Sequence, residues 1–127
     1  MSRYQPDQHG PRRIVGPGFH AQVHEIVRSV PAGCVASYGD VAQALGRRSV
    51  ARHVGWALAA LPEGTDVPWW RVVDGRGRLS RPGSAVAQRQ GELLGKEGVE
   101  IEGGTVVGFA GCRADLSGPD WVAAGDD

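Results

Sequence analysis

Two short helical segments that follow one another closely constrain this fold most. In the first, SYGDVAQALG, Ser37 is placed to cap the helix, Asp40 lies in its first turn and Gly46 ends it. In the second, VARHVGWALAAL, Ser49 is placed as the cap and Pro62 ends the helix. An apolar stripe runs along this second helix: Val50, Val54, Ala57, Leu58 and Leu61. Two helices joined in this way have the dimensions of a helix-turn-helix.

The flanking sequence adds a helix before this pair, and a wing and a further helix after it. From Phe19 the apolar residues follow the helical period as far as Pro31. WRVV and RLS flank the turn DGRG, which predicts a hairpin that forms a wing. Ser84 is placed to cap a helix with an inner face of Val86, Leu93 and Leu94, and a second hairpin is predicted to turn at Gly103-Gly104. The predicted fold class is mainly α with a small β wing, a winged helix-turn-helix.

The length of 127 residues fits one domain. Residues 1–17 mix Gly, Pro and Arg without periodicity and are expected to form a flexible lead, residues 18–112 the domain, and residues 113–127 a tail in which Trp121 packs back on the body. No apolar run is long enough to span a membrane, and the N-terminus lacks the apolar region of a signal peptide. The protein is therefore expected in the cytoplasm, associated with the nucleoid.

Positive charge is concentrated in one part of a chain whose formal net charge is zero. Between Gly46 and Gly83, seven arginines face three acidic residues, which leaves a local net charge of +4. The zero total argues against an indiscriminate polyanion binder, whereas the local excess favours a basic face directed at nucleic acid. Ordinary scattered surface arginine is the alternative.

The cysteines and histidines do not form a metal-binding pattern. Cys34 and Cys112 stand far apart, and neither has metal-ligand spacing with a histidine. His20 and His24 share a helix face without an evident third ligand. We expect neither a metal nor a cofactor.

Three segments in order carry a family resemblance: SVPAGCVASYGDVAQALGRRSVARHVGWAL, VPWWRVVDGRGRLS and QRQGELLGKEGVEI. They resemble the DNA-binding domain of the alkylguanine-DNA alkyltransferases and, more closely, the alkyltransferase-like proteins. The resemblance extends from about Phe19 to Ile101. It implies the alkyltransferase type of winged helix-turn-helix.

The resemblance places tryptophan where the enzymes keep their reactive pair. Their Pro-Cys-His-Arg step, whose cysteine accepts the alkyl group from the 6-oxygen of guanine, is matched here by Pro68-Trp69-Trp70-Arg71. Alkyl transfer requires a thiolate activated by a neighbouring base, and indole supplies neither. The resemblance therefore implies a protein that is not an enzyme and has no catalytic residue.

Neighbouring positions also depart from the enzymes. Glu97 matches the acid that orients the enzymes' histidine, so we expect it to remain without a side-chain partner, to bond backbone or solvent, and to have a structural role. Trp70 is expected to pack beneath the wing. Leu61-Pro62 replaces the enzymes' Asn-Pro. Trp56 is expected in the core because it falls near the apolar stripe of its helix.

The same resemblance assigns DNA contacts. Arg52 matches the arginine finger that enters the duplex where a nucleotide has been extruded, and Tyr38 matches the tyrosine that crowds the 3′ phosphate. The family places this helix in the minor groove, where Ala51 and Gly55 would permit a close backbone approach. The implied DNA-binding set is Tyr38, Arg48, Ala51, Arg52 and Gly55.

A pocket for the extruded base is expected around the tryptophan step. Trp69 would offer a flat apolar wall, and Arg81 would stack on the purine as a cation–π partner. The expected lesion pocket comprises Val67, Trp69, Arg71, Ser80 and Arg81.

The sequence therefore predicts a monomeric damage sensor that binds double-stranded DNA and flips 6-O-alkylguanine into the pocket. By the resemblance, nucleotide excision repair proteins would act on the marked site. Two alternatives remain open: a winged-helix DNA-binding protein without lesion preference, and an alkyltransferase that uses Cys34 or Cys112.

Overall fold

The computed structural model describes residues 18–81 and 83–116. Its first helix, α1, spans Phe19–Arg28 and ends where the Ser29 hydroxyl donates a 2.6 Å hydrogen bond to the carbonyl oxygen of Ile26. The helix buries one apolar stripe, consisting of Phe19, Val23, Ile26 and Val27. This is the stripe that the helical period predicts. The lead at residues 1–17 and the tail beyond Leu116, including Trp121, lie outside the described residues.

The second helix, α2, spans Tyr38–Ala44 and begins at a reciprocal cap. The Ser37 hydroxyl accepts a 2.9 Å hydrogen bond from the backbone N–H of Asp40, and the Asp40 carboxylate accepts one of 3.0 Å from the N–H of Ser37. Two amides that a helix start leaves free are thereby satisfied. The predicted Ser37 cap is confirmed. Because it fixes the start of α2, it also fixes the position of Tyr38, the first residue of the helix.

The third helix, α3, spans Ala51–Ala59 and follows a 3-10 turn at Arg48–Val50. The predicted Ser49 cap is wrong, because Ser49 lies inside that turn and no side chain caps α3. The predicted core position of Trp56 is also wrong, since its side chain is 58% exposed. The buried residues of α3 are Val54 and Ala57, and two helical steps rotate Trp56 about 200° away from Val54.

Strands β1, Ala36–Ser37, and β2, Val72–Val73, form a short parallel sheet in which Ala36 lies opposite Val72. The predicted wing hairpin is wrong in its pairing, because WRVV pairs with β1. The residues after its turn are held by a backbone bond from Asp74 N–H to the Arg78 carbonyl, 3.1 Å, and by a bridge from Arg78 to Thr105.

The β1–β2 pair separates two cores. Because neighbouring strand residues point to opposite faces, Val72 belongs to the core formed with α1, α2 and α3, whereas Val73 belongs to the core beneath the remaining elements. In the RLS segment only Leu79 is buried, and it belongs to the second core, so antiparallel pairing with that segment would not cover Val72. The need to bury both faces therefore explains the parallel partner.

The last helical layer is α4, Ala85–Lys96, which Ser84 caps as predicted by accepting a 3.1 Å bond from Ala87 N–H. Its inner face differs from the prediction: Val86 is exposed, and the buried residues are Ala87, Gln90 and Leu94. Strands β3, Ile101–Glu102, and β4, Thr105–Val106, form the predicted hairpin around Gly103-Gly104.

A short helix, α5, spans Phe109–Cys112, and the chain then remains attached to the domain. Arg113 makes two hydrogen bonds of 2.7 and 2.8 Å to the Asp40 carboxylate, and Leu116 is buried in the first core. Gly77 is required where the wing turn meets α5, because its φ is 82° and an added Cβ would lie 3.0 Å from Phe109. No helix among the described residues is long and apolar enough to cross a bilayer.

Candidate nucleic-acid interface

An open groove of about 1450 Å³ lies between α3, the Trp69–Trp70 step, residues 78–81 and α4. A groove of this size exceeds the roughly 300–1,000 Å³ of common small-molecule sites. It brings together five of the residues that the sequence assigns to DNA or to the lesion: Tyr38, Gly55, Trp69, Ser80 and Arg81. These residues come from four separate segments of the chain.

Tyr38 connects two walls of the groove. Its hydroxyl lies 3.1 Å from the Ser80 hydroxyl, and its ring covers the bare backbone of Gly55, where an added Cβ would lie 3.8 Å away. The bond joins the start of α2 to the loop before α4. The Tyr38 ring is therefore held in place by packing and by a hydrogen bond.

Trp69 and Trp70 meet edge to face, with ring centroids 6.0 Å apart and planes at 84°. Both rings are partly exposed and line the groove. Both belong to a 3-10 turn, Trp69–Arg71, that leads into β2. This edge-to-face packing is favourable, so Trp70 stabilises the orientation of the Trp69 ring.

Trp70 is tied to the body of the protein through Glu97. Its Nε1–H donates a 3.0 Å hydrogen bond to Glu97 Oε2, and Arg71 adds bonds of 3.0 Å from Nε to Oε1 and 2.6 Å from Nη2 to Oε2. The backbone N–H of Gly33 makes a longer bond of 3.4 Å to Oε1. We call Trp70, Arg71 and Glu97 the Glu97 clamp. Glu97 thus has partners, contrary to the sequence expectation, because Trp70 supplies the N–H that a histidine would have supplied.

The charge of Glu97 is stabilised in the folded protein. Burial by itself opposes ionisation, but the hydrogen bonds from Arg71 and Trp70 outweigh it and lower the pKa of Glu97. The Arg71 and Glu97 side chains are only 16% and 14% exposed. An ion pair this sheltered, with both oxygens hydrogen-bonded, orders the turn that carries Trp69.

Gln90 is a positioning residue that the sequence analysis missed. Its side chain is fully buried, and Nε2 donates to the carbonyl oxygens of Trp70 and Val72, at 3.2 and 2.8 Å. Its Oε1 accepts a 2.9 Å bond from Ser80 N–H. Gln90 therefore fixes both the tryptophan turn and the opposite wall. The available signal was its place on the apolar stripe of α4, three residues from Ala87.

Two residues expected in the pocket lie elsewhere. Val67 is 2% exposed and belongs to the first core. Arg71 points away from the groove, because its guanidinium is held by Glu97 and by the carbonyl oxygen of Val30, 2.7 Å from Nη1. The turn at Pro68 places Trp69 at the groove, whereas Val67 and Arg71 lie away from it.

The cations of the helix pair lie near the start of α3. Arg52 is exposed, and its guanidinium makes no hydrogen bond or ion pair within the described part of the chain. Arg48 is exposed and donates a 2.7 Å bond to Gln43 Oε1. Ala51 is half-buried and packs against the first core, so it is only partly available to a ligand.

Arg81 has an unusual backbone conformation. Its φ is +36°, a region that residues with a side chain rarely adopt, and the residue is exposed at the edge of the groove. Backbone strain of this kind collects at binding sites, where it costs on the order of 1 kcal/mol.

The two cysteines lie outside the groove. Both are half-buried, and burial, with a smaller contribution from nearby Cys34, raises the pKa of the Cys112 thiol. His20 and His24 lie near one another, with ring centroids 6.2 Å apart, and the described residues hold no cluster of three potential metal ligands. Burial lowers the pKa of His24, although a hydrogen bond with the Ala57 backbone partly offsets this.

A model of the 6-O-methylguanine DNA methyltransferase DNA-binding domain matches residues 18–99. The chain belongs to this DNA-binding-domain family. This match confirms the predicted fold class, and the relatives described next confirm the resemblance to the alkyltransferase-like proteins. The relatives of this chain include base-flipping proteins, alkyltransferase-like proteins and methyltransferases.

One relative is the DNA base-flipping protein of Vibrio parahaemolyticus, which is 40% identical over 65% of this chain and 82% of its own length. Another is alkyltransferase-like protein 1 of Schizosaccharomyces pombe, 45% identical over 65% of this chain and 78% of its own length. A methylated-DNA–protein-cysteine methyltransferase of Salmonella typhimurium is 40% identical over 65% of this chain and 48% of its own length.

Among solved structures, S. pombe Atl1 in complex with damaged DNA containing O6-carboxymethylguanine is similar to this chain. The TM-score is 0.64 at 42% identity, and the match covers 69% of this chain and 82% of Atl1. The fold therefore occurs in a protein that holds damaged DNA.

Proposed function

We propose that this protein is a non-enzymatic sensor of alkylated guanine in double-stranded DNA. The observation that carries the proposal is an indole, Trp69, on the wall of an open groove. By the family resemblance, this is the position at which the enzymes have their alkyl-acceptor cysteine. The relatives named for base flipping and the Atl1 complex with damaged DNA support it.

The groove lacks the chemistry that alkyl transfer requires. Trp69 has no thiol, and Trp70 Nε1 is a donor to Glu97, so neither ring can act as the nucleophile or its base. The thiols of Cys34 and Cys112 lie outside the groove, and the raised pKa of Cys112 reduces its thiolate fraction at neutral pH. These facts favour recognition without reaction.

Extrusion of the damaged nucleotide is assigned to Tyr38 and Arg52. The held ring of Tyr38 is stiff enough to press on the backbone, and the uncommitted guanidinium of Arg52 is available to occupy the vacated position in the duplex. Alkylation at the 6-oxygen weakens base pairing, which lowers the few kcal/mol that flipping costs. The sensor thus selects the lesion partly because the damaged base pair opens more easily than an intact one.

The extruded base is assigned to the part of the groove beside Trp69. Trp69 would stack on the purine, Ser80 would border it, and Arg81 would close over its face by a cation–π contact. The stable complex, formed by one copy of the chain in the nucleoid, would then be removed by nucleotide excision repair proteins, as the family resemblance implies.

Binding to matched duplexes tests the proposal. Fluorescence anisotropy should give tighter binding to a duplex containing one 6-O-methylguanine than to its unmodified twin, and a fluorescent base analogue opposite the lesion should report extrusion. Equal affinity for the two duplexes would show instead a winged-helix protein without lesion preference.

The enzyme alternative has its own test. Intact-mass spectrometry after incubation with 6-O-methylguanine DNA should show the unmodified protein. A mass increase of one methylene group on Cys34 or Cys112 would establish alkyl transfer and overturn the non-enzymatic assignment.

A further inference from the structure

Trp56 is a large aromatic side chain that faces solvent. It is 58% exposed, the highest exposure among the large apolar side chains of the described residues. Exposing an indole of this size to water is unfavourable. Single exposed apolar side chains are common, so the surroundings of Trp56 decide what this ring can do.

The position of Trp56 on α3 gives this ring a direction. Trp56 follows Arg52 by four residues, so the two side chains project from the same face of the helix, one turn apart. Gly55 and Ala59 extend that face with little or no side chain, and they line the groove together with Trp56. The surface combines one cation, one aromatic ring and two small residues, a composition suited to close approach by a polyanion.

The ring is also held before any ligand arrives. Its centroid lies 4.9 Å from that of His53 at an interplanar angle of 67°, and His53 meets Phe19 edge to face at 6.4 Å. Phe19 is buried in the first core. This ladder from Phe19 through His53 to Trp56 restrains the exposed indole, which lowers the entropy that binding would otherwise have to remove.

We infer that Trp56 is an aromatic wedge that enters the minor groove of duplex DNA beside the nucleotide at which Arg52 acts. The inference rests on the proposed function and adds a second point of insertion to it. Proteins that bind the minor groove insert apolar side chains between base steps, which unstacks the step and bends the duplex. Trp56 supplies such a side chain, and the neighbouring arginine supplies attraction to phosphate.

The wedge acts on the duplex and leaves the extruded base to Trp69. Its contribution is therefore the same for damaged and undamaged DNA. Because indole carries no charge, its contact with DNA releases no counterions. Its removal should therefore leave the salt dependence of binding unchanged. These two properties distinguish Trp56 from Trp69, which is assigned to lesion preference, and from Arg52, which is assigned to phosphate or base contact.

Trp56→Ala tests the inference, with Trp56→Phe as the conservative variant. The control is Val107→Ala, which removes an apolar side chain that is 41% exposed and does not line the groove. Anisotropy would give the affinity for the lesion duplex and for its unmodified twin at several salt concentrations. End-to-end energy transfer across a doubly labelled duplex would give the bend.

Trp56→Ala should weaken binding to both duplexes by about tenfold, the loss expected when one aromatic contact to a base is removed. It should also reduce the bend, leave the lesion preference and salt slope unchanged, and be largely rescued by Phe. Unchanged affinity and bend in Trp56→Ala would overturn the inference, and so would a lost lesion preference with an unchanged bend.

The wild-type result separates this inference from the proposed function. A wild-type protein that binds both duplexes equally would refute damage recognition, while a weakened, less bent complex with Trp56→Ala would still support the wedge. A wild-type protein that prefers the lesion, together with a Trp56→Ala variant that behaves like wild type, would refute the wedge alone.

Discussion

The indole Nε1 of Trp70 donates a 3.0 Å hydrogen bond to Oε2 of Glu97. In the enzymes that the chain resembles, a histidine occupies the position of Trp70 and can accept a proton at its second nitrogen. Indole has one N–H and no basic nitrogen. The Glu97 clamp therefore holds Trp70 without supplying a base, and under the proposed function it positions Trp69.

Restoring the thiol alone should not restore alkyl transfer. Trp69→Cys should remain unmodified after incubation with 6-O-methylguanine DNA, since Trp70 cannot take the thiol proton. The double variant Trp69→Cys/Trp70→His should react faster, because Glu97 is in place to orient the imidazole. Intact-mass spectrometry over time measures both, and rapid stoichiometric transfer by the single variant would contradict this account.

Trp69 should determine lesion preference. Trp69→Ala removes the stacking wall and should reduce the ratio of lesion to control affinity by about tenfold, whereas Trp69→Phe should retain most of it. Both variants should bind the unmodified duplex nearly as the wild type does. An unchanged ratio in Trp69→Ala would exclude this ring from the lesion pocket.

Arg52 should contribute an ionic contact with DNA. Arg52→Ala should weaken binding, reduce extrusion reported by a fluorescent base and lower the slope of log affinity against log salt by about one. Arg28→Ala is the control, because it removes another exposed charge, at the end of α1, which pairs with Asp66. Equal effects of the two substitutions would mean that only total charge matters.

Gly55 is expected to lower the stability of the protein and to favour DNA binding, so its replacement should change the two properties in opposite directions. An alanine Cβ would meet the Tyr38 ring at an ordinary contact distance of 3.8 Å, so Gly55→Ala should raise the free energy of unfolding by up to about 1 kcal/mol through helix propensity. The same methyl group would hold DNA off α3 and weaken binding. Gly95→Ala, in α4 with nothing within 4 Å, should stabilise without affecting binding. Urea unfolding and anisotropy measure the two effects, and tighter binding by Gly55→Ala would refute the close approach.

Glu97 should make stability dependent on pH in the acid range. Glu97→Gln leaves Arg71 sheltered without its counter-charge and should lower the free energy of unfolding at neutral pH by about 2 kcal/mol. Because folding lowers the pKa of Glu97, the wild type's advantage is complete above the unfolded value of about 4.3 and is lost as the pH falls through the lower, folded value.

Urea unfolding of both proteins from neutral pH to about pH 3 measures this difference. The lowered pKa values of Asp40 and Asp74 occur in both proteins and cancel in the comparison. Glu92→Gln, at an exposed position of α4, is the control and should show no such pH dependence. An advantage that persists unchanged in acid would show that the ion pair is not its source.

Local patterns predicted several features correctly. The Ser37 and Ser84 caps and the hairpin at Gly103-Gly104 depend on hydrogen bonds between residues a few positions apart, and the structure contains all of them. The predicted Ser49 cap does not form, because Arg48–Val50 adopts a 3-10 turn before α3. That turn is stabilised by packing of Val50 into the core, which no local rule includes.

The site was predicted unevenly for the same reason. Tyr38, Gly55, Trp69, Ser80 and Arg81 line one groove, and their contacts with DNA remain predictions. Arg71 and Val67 face inward. Gln90 was not predicted, and a buried amide is tolerated there because it meets three backbone partners. Trp56 was expected in the core but lies outside it, since the buried stripe of α3 is formed by Val54 and Ala57.

The sequence by itself determined where α2 and α4 begin, and that neither a cysteine nor a histidine stands at the tryptophan step, because these depend on residue identity and on neighbours within one turn. Tertiary structure alone decided that β1 pairs with β2, that Glu97 finds Trp70 and Arg71, and that Trp56 shares the groove with Trp69. Those contacts join residues far apart in the chain. Each of these residues has many possible partners, and the partners that it meets are those that allow both apolar cores to be filled at the same time.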